Sequence, residues 1–286
     1  MSLYPLYLAF CVVWIAVQLA FSDNFENTKK LLYKILLSAP MELCLVQSVF
    51  AGSFKFLHNG GTWFMSCLFV CYLFYPYVAR TICSQSEKRN IMLALIMYFF
   101  SSYAFFPAYT YKFAGIYSNP LLRLLEFSIG IIIADSFMQR HEKRIKKNAW
   151  IFVAAASLVL FLALSFGARF VNQWRIETYN FIAIPCFSVI LYFCARLETT
   201  FGFKHFKKAI ILFAENTYAF YLAQSFSLLP AKYLMNHTDF FTTHGNLKKL
   251  LLSLVVTCLI TVFFHYGIEK PCRILSKKLM KNNKGE

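Results

Sequence analysis

What this sequence has least of is charge. Asp, Glu, Lys and Arg make up only 15% of its 286 residues, and only 13 of them are acidic. A water-soluble globule of this length needs far more polar surface, so a soluble enzyme or binding module is excluded. No hydrophilic stretch is long enough for a second domain, and residues 1–286 read as one integral-membrane domain. A Gly-rich phosphate loop, a Gly-x-Ser-x-Gly elbow and metal-type spacing of the six histidines are all missing, so the site is expected to use no metal. The nine cysteines form no C-x-x-C pair and lie mostly in apolar runs, as Cys67 and Cys71 do; they read as small core residues, not disulfides. The shortage of acids leaves a net charge of +16. Most of that excess sits in short loops beside apolar runs, where retention of positive loops on the inner side explains it and nucleic acid is not implied.

What is abundant is apolar sequence, 59% of the chain with 19% aromatic. Apolar runs recur at 3–21, 31–50, 63–79, 91–107, 119–135, 150–166, 179–195, 209–228 and 247–268. Helices satisfy their own backbone in lipid, so the fold class is all-α, a polytopic transmembrane helix bundle with eight or nine membrane segments, in contact with membrane lipids. The first run starts at the initiator without a basic leader region and reads as a retained helix. The run 31–50 is interrupted by Lys34, Pro40, Glu42 and Gln47; it either crosses with a kink at Pro40 or is re-entrant or interfacial, and eight crossings are favoured. The basic stretch RHEKRIKK at 140–147, the segment 196–208 and the tail from Lys270 are expected inside, which puts the C-terminus in the cytoplasm.

Four groups of polar residues interrupt this pattern. Arg123 and Glu126 lie in the first turns of an apolar helix, where charge is costly and usually faces a bundle interior or a wet cavity. At spacing i,i+3 they share a face, so they either lock helices as an ion pair or line a substrate path. Asn59-Gly60-Gly61-Thr62-Trp63 is a turn leading into an aromatic-belt tryptophan or a binding loop at the outer mouth. Thr217, Tyr221 and Gln224 share one helical face, with Glu215 a turn away, and serve as interhelical hydrogen-bonding glue or as ligand contacts. The segment HYGIEKPCR at 265–273 ends the last helix as an interfacial stop.

These stretches together resemble a family, the acyltransferase type 3 family of multispanning enzymes that move acyl groups, commonly acetyl, onto sugars of surface glycans. The resemblance rests on Leu3-Tyr4-Pro5-Leu6-Tyr7, on 59–76 with Thr-Trp-Phe and Tyr-Leu-Phe-Tyr-Pro, and on 119–134 with Pro-Leu-x-Arg, Glu-Phe and Gly. It continues in Glu-Asn-Thr-Tyr-Ala-Phe-Tyr-Leu-Ala-Gln at 215–224 and in Ile268-Glu269-Lys270-Pro271 with Arg273. The family pattern sets two helices with an Arg-to-His motif ahead of Leu-Tyr-Pro-Leu-Tyr, and this sequence starts at Met1-Ser2; the pattern's later His is Gln224 here. The resulting expectation is a shortened member that transfers little or no acyl group unless extended upstream.

The resemblance implies an acyl-CoA co-substrate, acetyl-CoA in the common case, and a surface glycan or lipid-linked saccharide acceptor at a bacterial-type inner membrane. Arg123, a permanent cation, would stabilise an oxyanion or hold carrier phosphates, and Glu126 would orient it or the acceptor sugar. His265 remains as a candidate catalytic base, near the inner end of the last helix. Asn59, Trp63, Glu215, Tyr221 and Gln224 would contact substrate, with Trp63 stacking on a sugar ring. The basic inner loops would attract the phosphates of coenzyme A; no individual cofactor-binding residue and no oligomeric state is assigned. The competing class is non-enzymatic, a glycan transporter or flippase or an inactive member of the family.

Overall fold

The computed structural model describes residues 3–20, 25–50, 61–103, 117–139, 147–167, 176–201, 207–237 and 246–282. Among them every regular element is helical. In order they are α1 (Tyr4–Ala20), α2 (Phe25–Leu43), α3 (Thr62–Cys83), α4 (Glu87–Tyr103), α5 (Pro120–Gln139), α6 (Lys147–Gly167), α7 (Ile176–Phe201), α8 (Lys207–His237) and α9 (Asn246–Phe264). A π-helical turn (His265–Glu269) then leads without a break into α10 (Lys270–Asn282). Among the described residues, Thr62–Cys83 and Leu251–Ser276 are long and apolar enough to cross a membrane, and Tyr4–Leu19 and Phe181–Ala195 are shorter apolar helices. Large apolar side chains such as Phe100, Phe152, Phe213 and Phe263 stay exposed along their helices, as on surfaces that meet lipid.

Several helices run past the expected stops. Pro76 and Pro185 sit inside α3 and α7, and Pro40 sits inside α2, which already starts at Phe25. Helix α8 continues to His237, well beyond the apolar run that ends at residue 228. The last helix does not stop at Ile268. Lys270 N–H reaches back to the His265 carbonyl in the wider π pattern, and Pro271 then falls in the first turn of α10, where a missing N–H costs least.

By contact density the chain divides into two units. One comprises Met1–Gln47, Phe56–Met65 and Lys204–Glu286; the other comprises Ser48–Lys55 and Ser66–Phe203. In the first, α8 and α9 pack along much of their length, and α1 lies against α8 and the π turn. Its core holds Leu6, Phe10, Ala219, Leu222, Ala223 and Phe264, all buried, with the rings of Phe10 and Phe264 stacked at 4.2 Å. Helix α2 closes with paired hydrogen bonds from Val46 N–H to the Met41 carbonyl and from Leu45 N–H to the Glu42 carbonyl, with Leu45 left-handed at φ 58°. That cap presents the Glu42 carbonyl to the Tyr7 hydroxyl (2.9 Å), while Tyr4 donates to the Leu43 carbonyl (2.8 Å). Gln47 Nε2 then donates to Tyr7 Oη and to the Thr62 carbonyl, joining α1, the end of α2 and the start of α3.

In the second unit α4 packs on α5, α6 on α7, and α7 on α4 and α5. Tyr98 donates to the Phe181 carbonyl at 2.6 Å, and Asn90, buried, donates to the Ile82 carbonyl at 3.0 Å and to Asp135 at 3.4 Å. No disulfide forms. Cys11, Cys67, Cys71 and Cys186 are buried, as small core residues should be, but Cys44, Cys83, Cys194 and Cys258 are exposed. Cys83, Cys194 and Cys258 sit on exposed sides of their helices and Cys44 in the turn after α2, where a thiol serves as any small apolar group would.

Candidate functional site

The most deeply buried carboxylate among the described residues of the first unit is Glu269, with no exposed surface. Its Oε2 meets His265 Nδ1 at 2.9 Å and its Oε1 accepts from Arg273 Nη2 at 2.5 Å. Both partners stand four residues from Glu269 on the same helix, one on each side. The π turn between His265 and Glu269 widens the backbone there, a form that recurs at functional sites. His265 is 4% exposed and its ring lies edge-on to Tyr266. Among the described residues nothing hydrogen-bonds its Nε2. The expectation that His265 lies near the inner end of the last helix is corrected here: it sits close to the middle of the apolar stretch Leu251–Ser276, because the helix continues through Pro271.

The polar stripe on this helix extends further. Ser253, Thr257, Thr261, His265, Glu269 and Arg273 follow one another at every fourth position. Thr257 and Thr261, both buried, donate to the carbonyls four residues earlier, and Thr257 Oγ1 and Ser227 Oγ of α8 are 2.6 Å apart. These hydroxyls are therefore satisfied inside the helix pair, whereas the His265–Glu269 pair is ionisable and at depth, where such groups mark function.

In the second unit Arg123 and Glu126 bind each other, Nη1 to Oε2 at 2.5 Å. Arg123 also donates through Nε and Nη2 to the Tyr117 carbonyl (3.0 and 2.8 Å) and lies 4.8 Å from the centre of the Tyr117 ring. Ser101 of α4, fully buried, donates to the other oxygen of Glu126 at 3.0 Å. The guanidinium is thus held from three sides before any ligand arrives, a preorganised cation with 16% of its side chain exposed.

A family model for an acyltransferase domain, that of acyltransferase family 3, matches residues 1–267. The chain belongs to acyltransferase family 3. No curated protein and no solved structure matches it. Membership makes this a membrane-associated acyltransferase-family protein, consistent with its apolar helices.

Within this family-3 chain the other expected contact residues are placed as follows. Tyr221 stands against the start of α3: its ring is edge-on to Phe64 at 5.3 Å, and a Cβ on Gly61 would come within 3.1 Å of that ring and 3.3 Å of the Tyr221 carbonyl. A larger residue there would need the Tyr221 ring to give way by a few tenths of an ångström. Trp63 is half-buried beside Phe64. Glu215 and Gln224 are at exposed positions of α8, as is Thr217, whose hydroxyl returns to the Phe213 carbonyl; the buried face is Ala219, Leu222 and Ala223 instead. Asn59 and the basic run at 140–146 lie outside the described residues. Sequence reasoning missed Glu269 as the partner of His265, and Ser101 and the Tyr117 carbonyl as partners of Glu126 and Arg123. For Glu269 the signal was present as polar residues at every fourth position through an apolar run.

Proposed function

We propose that this chain transfers an acyl group, acetyl from acetyl-CoA in the common case, to a hydroxyl of a cell-surface polysaccharide or lipid-linked sugar. It would do so from a bacterial-type inner membrane, in eight or nine segments, with the C-terminus in the cytoplasm. The observation that carries the reading is a histidine buried in an apolar helix with a carboxylate on its Nδ1, inside a chain of acyltransferase family 3. A sugar hydroxyl needs its proton removed as it attacks, and a histidine is the side chain most often used for that.

In the proposed step the hydroxyl oxygen bonds to the thioester carbonyl carbon while its proton passes to His265. The C–S bond then breaks, and the thiolate leaves with the proton returned by the imidazolium, giving ester and free coenzyme A. Arg123, in the second unit, has no acceptor atom and cannot be the base; its proposed part is to hold an anionic group such as the donor's phosphates. Glu126 keeps the guanidinium in place.

Incorporation of labelled acetyl from acetyl-CoA into membrane glycan, by purified chain in lipid, tests the reading. Contrary to the expectation from the sequence of little or no transfer without an upstream extension, wild type should incorporate label, and His265→Ala should lose on the order of 10²–10⁴-fold in rate. Full activity in His265→Ala would remove the base from this residue, and transport of glycan without label transfer would favour the non-enzymatic class.

A further inference from the structure

The π turn and the two ends of Glu269 fix more than the presence of a histidine. We infer that Glu269 is a positioning residue that holds His265 with its proton on Nδ1 and its lone pair on Nε2, and that Arg273 holds Glu269 for this purpose. The catalytic consequence rests on the acyl-transfer reading, whereas the tautomer does not.

Arg273 is a permanent cation and has only donors to offer, so the carboxylate oxygen it meets must accept. An ionised carboxylate accepts on both oxygens, and the atom facing Oε2 is His265 Nδ1 at 2.9 Å. Nδ1 must then carry the hydrogen. The reverse arrangement would need a neutral carboxylic acid donating to Nδ1 while its other oxygen faces a guanidinium, which gives up a charge-assisted bond in a site with no exposed surface on the acid. One carboxylate and one guanidinium also leave the group neutral, so the ring brings no charge to the site until it takes a proton. When it does, the charge appears next to the carboxylate that stabilises it.

The helix supplies the geometry. Residues four apart on a helix already share a face. The π turn runs from His265 to Glu269, and the two side chains meet directly across it, both buried and both on one continuous helix. With Nδ1 committed, Nε2 is the nitrogen left to take a proton from a hydroxyl.

The deciding measurement is nitrogen NMR of the full chain in lipid with 15N-labelled histidine, the His265 signals assigned by their absence in His265→Asn. Wild type should show His265 protonated on Nδ1 and unprotonated on Nε2. In Glu269→Gln, Arg273 takes the amide oxygen and the amide N–H₂ faces the ring, so the proton should move to Nε2. Glu269→Asp should keep the wild-type signature. In the acyl-transfer assay Glu269→Gln should lower kcat on the order of 10²-fold or more with KM for acyl-CoA unchanged, as misplacing a catalytic histidine's proton does elsewhere. Glu269→Asp should recover part of that loss. A wild-type His265 protonated on Nε2, or a tautomer that Glu269→Gln leaves unmoved, overturns the inference. The expected tautomer in a chain that transfers no acyl group supports the positioning and sinks the functional reading instead, so the two failures are distinguishable.

Discussion

Two ion pairs stand in apolar helices of this chain, and they are built to different ends. Arg123 and Glu126 bind each other, and the surrounding chain supplies further partners to both, from the Tyr117 carbonyl to Ser101. Removing either leaves the other with company. Glu269 is fully buried between a guanidinium and an imidazole on its own helix, and one of those partners can gain and lose a proton. The first arrangement fixes a cation in space. The second places a proton carrier at depth, and the difference lies in what stands at the far side of the carboxylate.

The strongest way to break this comparison is to remove each acid in turn. Glu269→Ala should lower unfolding stability by about 3 kcal/mol or more, because it strands partners of a buried ion pair. Glu126→Ala should cost about 1–2 kcal/mol, since Arg123 keeps its bonds to Tyr117. Thermal unfolding in detergent reads both, and an equal or reversed order would undo the distinction.

Gly61→Ala separates packing from charge in the same unit as His265. The added methyl meets the Tyr221 ring at 3.1 Å and its carbonyl at 3.3 Å, so the substitution should cost about 1–3 kcal/mol. Wild-type stability in this variant would show that the start of α3 is free to move away from α8. Arg123→Lys keeps the charge but loses the fork that spans Glu126 and Tyr117, and should cost about 1 kcal/mol, seen as a lower melting temperature. No change would mean that charge alone, and not its fixed direction, matters there. The smallest effect is expected from Thr257→Val, which removes one hydroxyl contact between α8 and α9 and should cost roughly 0.6 kcal/mol, the average for such bonds in membrane helices. A loss several times larger would assign the stripe above His265 more than a packing role.

The Arg123–Glu126 pair was legible from spacing alone, because i,i+3 residues in one helix have little choice but to meet. Its outer partners were not, since Ser101 comes from another helix and the Tyr117 carbonyl from the turn before. The helical fold class was legible from apolar run length, and the ends of helices were not. Pro40, Pro76, Pro185 and Pro271 look like stops in a sequence, yet each lies inside or just within a helix. For the same reason Glu269 was read as belonging to a terminal stop when it stands in mid-helix. In α8 the pattern drew attention to Thr217, Tyr221 and Gln224, while close packing against α1 and α9 chose the small and apolar side, Ala219, Leu222 and Ala223.

The π turn also sets the phase of everything after it. In an ordinary α-helix each residue advances the face by about 100°, so the surplus residue held in His265–Glu269 acts as a gear tooth between α9 and α10. A regular α-helix through the same residues would swing Arg273 and the basic residues beyond it by roughly a quarter turn relative to α9. Glu269 and Arg273 lie at and beyond the end of the π turn and would turn together, so the contact altered would be that of Glu269 with His265. The chain thus keeps two stretches of helix, one apolar and one basic, in an angular relation set by the irregular turn between them.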